Sequence, residues 1–380
     1  MGRGGRNFWP TMKHAAGLSA LRALSLEGLS AECFISGALE TLHSIIPSYR
    51  NLFDWIDAQG NLVRYYFEGP IDARIATHYF EEFHNRRESE VMPAFKQAIH
   101  GRALVRSAAE LDRPEFFRSA LYNEIWRPQG LHSRIEAIVR SAGGAVTHGS
   151  LVLYRAPGDP RFTREDEELL AQVSRYVAQG LERGQAAPGA CADYEVVPRR
   201  RAVLSLGPQG ELLNLSQDAL KLLLLAHGGV TPEGLARKPR REDFSSLDLL
   251  WQQHSRAAEH DSRAVSVAVD NAWGRFRFES QKLMPLHDSH GMSIHIGIDH
   301  FEPLTLSFHR ALDTLPLSPV QRDVCLYLVR GESQAEIARH LSVAISTVTD
   351  HVRKIYTKLD VHSAAELTQR VRAEATRLHG

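Results

Sequence analysis

Thr349, Asp350, Arg353, Lys354, Thr357 and Lys358 recur at helical spacing and lay a polar, mainly basic strip along one side of a segment near the end of the chain. Early side chains of such a strip can reach base edges, and its later lysines can neutralise phosphates. An ordinary solvated helix face has the same composition, so the neighbouring segments must decide between the two. Groups suited to covalent chemistry are scattered elsewhere. There is no Walker A phosphate loop, no HExxH pair and no GxSxG elbow, and the glycines at 2–5 follow no strand pattern, so no enzyme is expected. The nineteen histidines include the pairs His287/His290 and His295/His300, neither with a ligand set around it. Surface or sheet-face positions are favoured for them, and neither a metal nor a cofactor is expected. Cys33, Cys191 and Cys325 have no CxxC spacing and read as isolated thiols. The acidic cluster and later lysine of a phosphotransfer receiver are not apparent in the first part of the chain.

Four helix starts crowd the segment that carries the strip. Ser318-Pro319-Val320-Gln321 sets an N-cap serine before an N1 proline, with an amide three residues on to close the box. Ser333-Gln334-Ala335-Glu336 and Ser363-Ala364-Ala365-Glu366 are capping boxes of the Ser-x-x-Glu form, and Ser346 is a fourth candidate cap. Val320, Val324, Tyr327 and Leu328 form one stripe of a helix that Gly331 can end in the left-handed conformation. Ile337, Ala338 and Leu341 give the second helix its buried edge, and Val348, Val352, Ile355, Tyr356 and Leu359 the third. Three apolar faces can then share one core and leave the basic strip outside.

Leu317-Ser318-Pro319, Gly331-Glu332-Ser333, Glu336-Ile337-Ala338, Leu341, Ser346-Thr347-Val348, His351-Val352, Ile355, Lys358-Leu359 and Ala364-Ala365-Glu366-Leu367 run without a gap across 316–373, and this pattern resembles the LuxR-type helix-turn-helix. By position the resemblance makes 334–341 the scaffold helix and 347–359 the recognition helix. It implies base-edge contacts by Thr349, Asp350 and Arg353, phosphate contacts by Thr347, Lys354 and Lys358, and a dimerisation role for a fourth helix from Ala364 to about Ala373. Gln321 stands where the family usually has glutamate; either group closes the box. Asp350 can accept from cytosine N4 or pair with Lys354 one turn later, and the pair is favoured. His351 matches a family histidine and is expected to pack beside the core.

The region ahead of this module reads as alternating helices and strands. Residues 29–46 have helical spacing, and 51–66 look like a hairpin turning at Ala58-Gln59-Gly60-Asn61. Residues 144–154 supply a strand, and Thr163 to Asp166 cap a helix carrying Leu169, Leu170, Val173, Val177 and Leu181. That order, with Phe162 to Asp166 opening the closing helix, is similar to a GAF domain. A Gly/Pro-containing stretch and Arg199-Arg200-Arg201 follow as a linker, the arginines read as a solvated cluster with DNA contact as the alternative. Residues 203–206 and 211–213 then form a hairpin around Gly207 to Gly210, Ser216 caps a helix over 218–226, and strands follow at 264–269, 275–279 and 293–298. This part resembles a PAS-like fold. The fold class expected is therefore a multidomain α+β sensory region of GAF-like and PAS-like antiparallel sheets with helices, followed by an all-α four-helix unit. The expected divisions are 1–28 as an N-terminal extension, 29–184 GAF-like, 185–201 linker, 202–301 PAS-like, 302–315 linker helix and 316–380 the helix-turn-helix. Trp55, Tyr65, Phe67, Phe83 and Trp126 are candidates to line a ligand pocket there, although aromatic residues more often fill cores.

At 380 residues the chain exceeds one ordinary core, which leaves room for sensory domains beside a DNA module. Lys+Arg and Asp+Glu number 45 each, so overall charge does not announce a nucleic-acid partner and the DNA evidence must be local. No apolar run is long enough to cross a bilayer. No apolar signal core follows the basic start at 1–6, and residue 6 is not the Ser or Thr of a myristoylation motif, so a cytoplasmic location is expected. Together these features point to a sequence-specific transcriptional regulator. The partners expected are double-stranded promoter DNA, a second copy of the chain, RNA polymerase and a small-molecule effector, with no membrane. The alternative is a protein-interaction scaffold or signalling protein whose helix-turn-helix no longer binds DNA.

Overall fold

The computed structural model describes residues 12–186, 193–256, 263–283 and 292–378. Cys191 and the His287/His290 pair lie outside the described residues. Helices α1 (Met12–Ser25) and α2 (Ala31–Leu42) open the chain, and the Ser30 hydroxyl caps α2 by accepting from the Cys33 amide. Strands β1 (Arg50–Ile56) and β2 (Leu62–Phe67) form the expected hairpin. Asp57 ties its turn by accepting from the Gln59 and Asn61 amides, and Gly60 takes the positive φ of +77° that the turn requires. The next residues are α3 (Ala73–His78), α4 (Phe95–His100), β3 (Val105–Arg106), α5 (Pro114–Arg118), β4 (Ser133–Arg140), β5 (Thr147–Arg155) and the long α6 (Arg164–Ala186). Thr163 and Asp166 cap α6 reciprocally, as their spacing predicts.

These strands form a five-stranded antiparallel sheet in the order β2-β1-β5-β4-β3. Its parity divides the residues cleanly. Phe53, Trp55, Ile135, Leu151 and Leu153 pack toward α2 and α6, where Leu39, Leu170, Val173 and Val177 are buried with Leu18, Leu21 and Leu24 of α1. The opposite face carries Leu52, Asp54, Tyr65, Phe67, Val152 and Tyr154, roofed by the short helices of residues 70–131.

The second unit repeats the plan. Strands β6 (Arg200–Leu206) and β7 (Leu212–Leu215) precede α7 (Ala219–Ala226), α8 (Pro232–Leu235) and α9 (Ser245–Arg256). Then come β8 (Val265–Asn271), β9 (Gly274–Leu283) and β10 (Ser293–Phe301), giving the order β7-β6-β10-β9-β8. In both sheets the first and last strands pair at the centre. Ser216 does not cap α7: its hydroxyl accepts from the Val203 amide of β6, and Asp218 occupies the cap position without a side-chain bond. His295 and His300 lie five apart on β10, so they point to opposite faces, and His300 is buried against the Trp273 carbonyl.

Arg199 and Arg200 correct the expectation of a solvated linker cluster. Arg200 begins β6 and donates to the Tyr66 hydroxyl at 2.8 Å, while Arg199 bonds Glu40 at 3.3 Å and the Leu378 carbonyl at 3.4 Å. Only Arg201 is exposed, paired with Asp299. Trp273 stacks on Tyr66 with ring centroids 5.3 Å apart, so the two sheet units share one junction.

Helix α10 (Leu304–Thr314) leaves that junction and leads into α11 (Pro319–Val329), α12 (Gln334–Leu341), α13 (Ile345–Leu359) and α14 (Ala364–Arg377). Two antiparallel sheets with helices followed by a helical tail is the fold class expected from the sequence. Among the described residues, no helix is long and apolar enough to cross a membrane.

Candidate nucleic-acid interface and ligand cavity

The tail folds as its local signals require. Ser318 and Gln321 close a reciprocal box at the start of α11, as do Ser333 and Glu336 at the start of α12. Gly331 takes a φ of +85° after α11. Ser363 accepts from the Glu366 amide, but Glu366 returns its carboxylate to His362 instead of Ser363, and α14 runs past Ala373 to Arg377. Ser346 is not a cap: Ala344 holds that position and α13 starts at Ile345.

Helix α13 is held by Val348, Val352, Ile355 and Leu359, all buried against the core that Val324, Ile337, Leu367 and Val371 share. Thr347, Thr349, Asp350, Arg353, Lys354 and Lys358 are all exposed. Arg353 pairs with Asp350 at 2.7 Å and stays 76% exposed, so the expected Asp350–Lys354 pair is replaced by one three residues long. Lys354 has no hydrogen bond or ion pair among the described residues. The Thr349 hydroxyl donates to Gln334 at 2.7 Å and fixes α13 against the start of α12. Lys358 donates to Gln321 at 2.9 Å and to the Pro316 carbonyl at 3.2 Å, so its ammonium is turned toward the protein in this conformation. His351 is half-buried beside the core.

Residues 315–371 match the family described as bacterial regulatory proteins, luxR family. This segment is a luxR-family domain. Among solved structures, the chain is similar to the VqmA–ligand–DNA complex of Vibrio cholera at 17% identity, covering 46% of this chain and 83% of that one, with a TM-score of 0.24. It is similar to the GAF domain of the cyanobacteriochrome TePixJ at 12% identity, over 40% of this chain and 88% of that one, with a TM-score of 0.27. It is also similar to the bacteriophytochrome RpBphP3 of R. palustris at 11% identity, over 77% of this chain and 64% of that one, with a TM-score of 0.30. A comparison with curated proteins gave no match.

A cavity of about 140 Å³ lies between the first sheet and residues 70–131, and none of its lining residues belongs to the luxR-family domain. Of the aromatic residues singled out in the sequence, Tyr65, Phe67 and Trp126 line it, joined by Tyr79, Phe80 and Tyr154. Trp55 and Phe83 do not. Trp55 is one residue from Asp54 on β1 and so faces the other side, edge-on to Phe53 and Trp273; Phe83 is buried in the roof beneath Arg87. Sequence reasoning missed the charged lining: Asp54, Glu88, Arg106, Arg134 and Glu136. For Asp54, Arg134 and Glu136 a signal was present, as charged residues at inward positions of strands β1 and β4. Burial pushes the Asp54 carboxyl up to about 7, against the pull of the Ser150 hydroxyl that it accepts from at 3.0 Å. Segments Tyr79–Phe83 and Leu121–Trp126 are π-helical, a conformation frequent at functional sites.

Proposed function

We propose that the protein is a DNA-binding transcription regulator that acts as a homodimer and answers to a small molecule held under its first sheet. The carrying observation is the outward face of α13, which presents Thr347, Thr349, Asp350, Arg353 and Lys354 to solvent while its apolar side is anchored in the core. Such a helix suits the major groove, with Thr349, Asp350 and Arg353 toward base edges and Thr347, Lys354 and Lys358 toward phosphates. Lys358 would exchange its two internal acceptors for a phosphate oxygen. Helix α14 is the proposed pairing element, setting two recognition helices one DNA turn of about 34 Å apart, with RNA polymerase as the partner at the promoter. Residues 29–184 would hold the ligand, 202–301 the second sheet, 302–315 the linker helix and 316–380 the reader.

Strand β2 supports the ligand control. Tyr65 faces the cavity, and Tyr66, next to it, faces the junction and accepts from Arg200. A ligand favouring one position of β2 would bias the junction by its differential affinity and no more.

Selection from random duplexes, followed by gel-shift titration over a range of salt, tests the proposal. Enrichment of a two-fold site with affinity falling steeply in salt supports it. Enrichment of nothing supports a second reading, an interaction scaffold, which the Asp350–Arg353 pair favours because it already occupies the guanidinium.

A further inference from the structure

The cavity's charged groups are satisfied internally, with one exception. Glu136 accepts from Arg106 at 2.9 Å and lies 3.2 Å from Arg134. Glu88 is fully engaged: Oε1 accepts from the amides of Asn85 and Phe95 at 2.8 and 2.9 Å, and Oε2 from the Tyr79 hydroxyl at 3.0 Å. Asp54 accepts from Ser150 through Oδ2 alone. Among the described residues, no hydrogen bond or ion pair reaches its Oδ1. Tyr65 sits directly opposite Asp54 in the β1–β2 pairing, and its hydroxyl likewise has no partner among the described residues. An acceptor and a donor, side by side on neighbouring strands, therefore face the same space unmet. Both residues line the cavity, where a ligand or a water can meet their polar groups.

The rest of the lining limits what the partner is. Tyr79, Phe80, Phe95 and Trp126 supply aromatic surface. The volume of about 140 Å³ is close to the ~150 Å³ of an apolar cavity that accepts benzene. One ring fits this space. Above about pH 7, where Asp54 is ionised, a carboxylate ligand would put like charges together there. A hydrocarbon ring would leave Asp54 and Tyr65 both unpaired, the condition under which a polar site rejects an analogue most strongly.

We propose that the cavity binds a one-ring aromatic amino-heterocycle, its N–H edge donating to Asp54 and a ring acceptor receiving the Tyr65 hydroxyl. The ring lies among the aromatic walls. The inference rests on the ligand-controlled reading above and adds the chemical class of the ligand.

Calorimetric titration of the full chain at pH 8, where Asp54 is ionised, with 2-aminopyridine, toluene and benzoate tests it. The expected order of affinity is 2-aminopyridine, then toluene, then benzoate, with benzoate at least about tenfold weaker than 2-aminopyridine. Asp54→Leu, close to isosteric, should weaken 2-aminopyridine about tenfold and strengthen toluene, whose binding then no longer leaves a carboxyl unpaired. Tyr65→Phe provides a second variant that keeps the fold and should weaken 2-aminopyridine by about threefold. Benzoate binding as tightly as 2-aminopyridine, or Asp54→Leu and Tyr65→Phe both leaving its affinity within about twofold, would overturn the proposed class while leaving ligand control intact. Failure of all three rings to bind overturns the class and the ligand-controlled reading together, and DNA selection then stands as a separate result.

Discussion

Glu302→Gln measures what the junction between the two sheets and the tail contributes. Glu302 is 1% exposed, accepts from Arg310 and from the Ser36 hydroxyl, and shares Arg310 with Glu40 and Glu195. With Arg199 and Arg200, three guanidiniums there face three carboxylates. Burial pushes the Glu302 carboxyl up, but Arg310 and Arg200 outweigh it and hold it well below the usual range. The amide keeps the shape and one of the two acceptor contacts, and its NH2 can donate to the Ser36 hydroxyl, but it removes one charge, so the arginines carry an unbalanced buried positive charge. Removing one partner of a buried pair costs about 3–5 kcal/mol, and the retained contacts put this case near 3. The assay is urea denaturation of the full chain, followed by the tryptophan signal to which Trp273 at the junction contributes. The sign with pH follows from the lowered carboxyl. Its contribution is complete above the ordinary value of 4.5 and is lost as pH falls below it toward the lower folded value. The difference between wild type and variant should therefore be full at neutral pH and shrink in acid. A variant within about 1 kcal/mol of wild type at pH 7, or a difference that persists unchanged in acid, refutes this account of the junction.

Arg353→Ala should weaken the selected site by about 1–3 kcal/mol and relax specificity at one base pair in competition gel shifts; equal loss on scrambled duplexes excludes a base-edge role. Lys354→Ala should weaken all duplexes alike and reduce the salt slope by about one, and an unchanged slope rules out its phosphate contact. Ser333→Ala opens the α12 box and should cost about 1 kcal/mol by denaturant melting of the tail; no measurable loss contradicts the capping assignment. Asp54→Asn should raise the melting temperature at pH 8 more than at pH 4. The neutral acid's advantage is complete below its ordinary 3.8 and is lost as pH rises to about 7, so equal shifts at both pH values contradict the burial of this carboxyl.

The tail was legible because its instructions are local. Ser318 with Gln321 and Ser333 with Glu336 announce two helices within four residues each, and the i, i+4 stripes orient their faces. The hairpins were legible for the same reason, through Asp57 to Asn61 and Gly207 to Gly210. Strand β4 was missed because it is buried on both faces, and Arg134 and Glu136 at alternate inward positions look like a solvated side until both arginines, Arg106 and Arg134, are seen to meet Glu136. The roof of the cavity was missed because its short helices and π-helical turns lack a sustained period. Arg199 and Arg200 read as linker because Glu40, their shared partner, lies about 160 residues earlier. Sequence spacing alone does not bring such residues together. Trp55 was misplaced by one step of strand parity, the difference between the cavity and the core.

Helix α10 belongs to two cores at once: Leu306 is buried with the sheets, and Phe308, Ala311 and Leu312 with the tail. It therefore sets the angular phase of the luxR-family domain relative to the two sheets. Inserting one residue into its middle would turn everything downstream by about 100° and advance it ~1.5 Å. The rotational setting of the luxR-family domain against the two sheets is thus encoded in the length of a single eleven-residue rod.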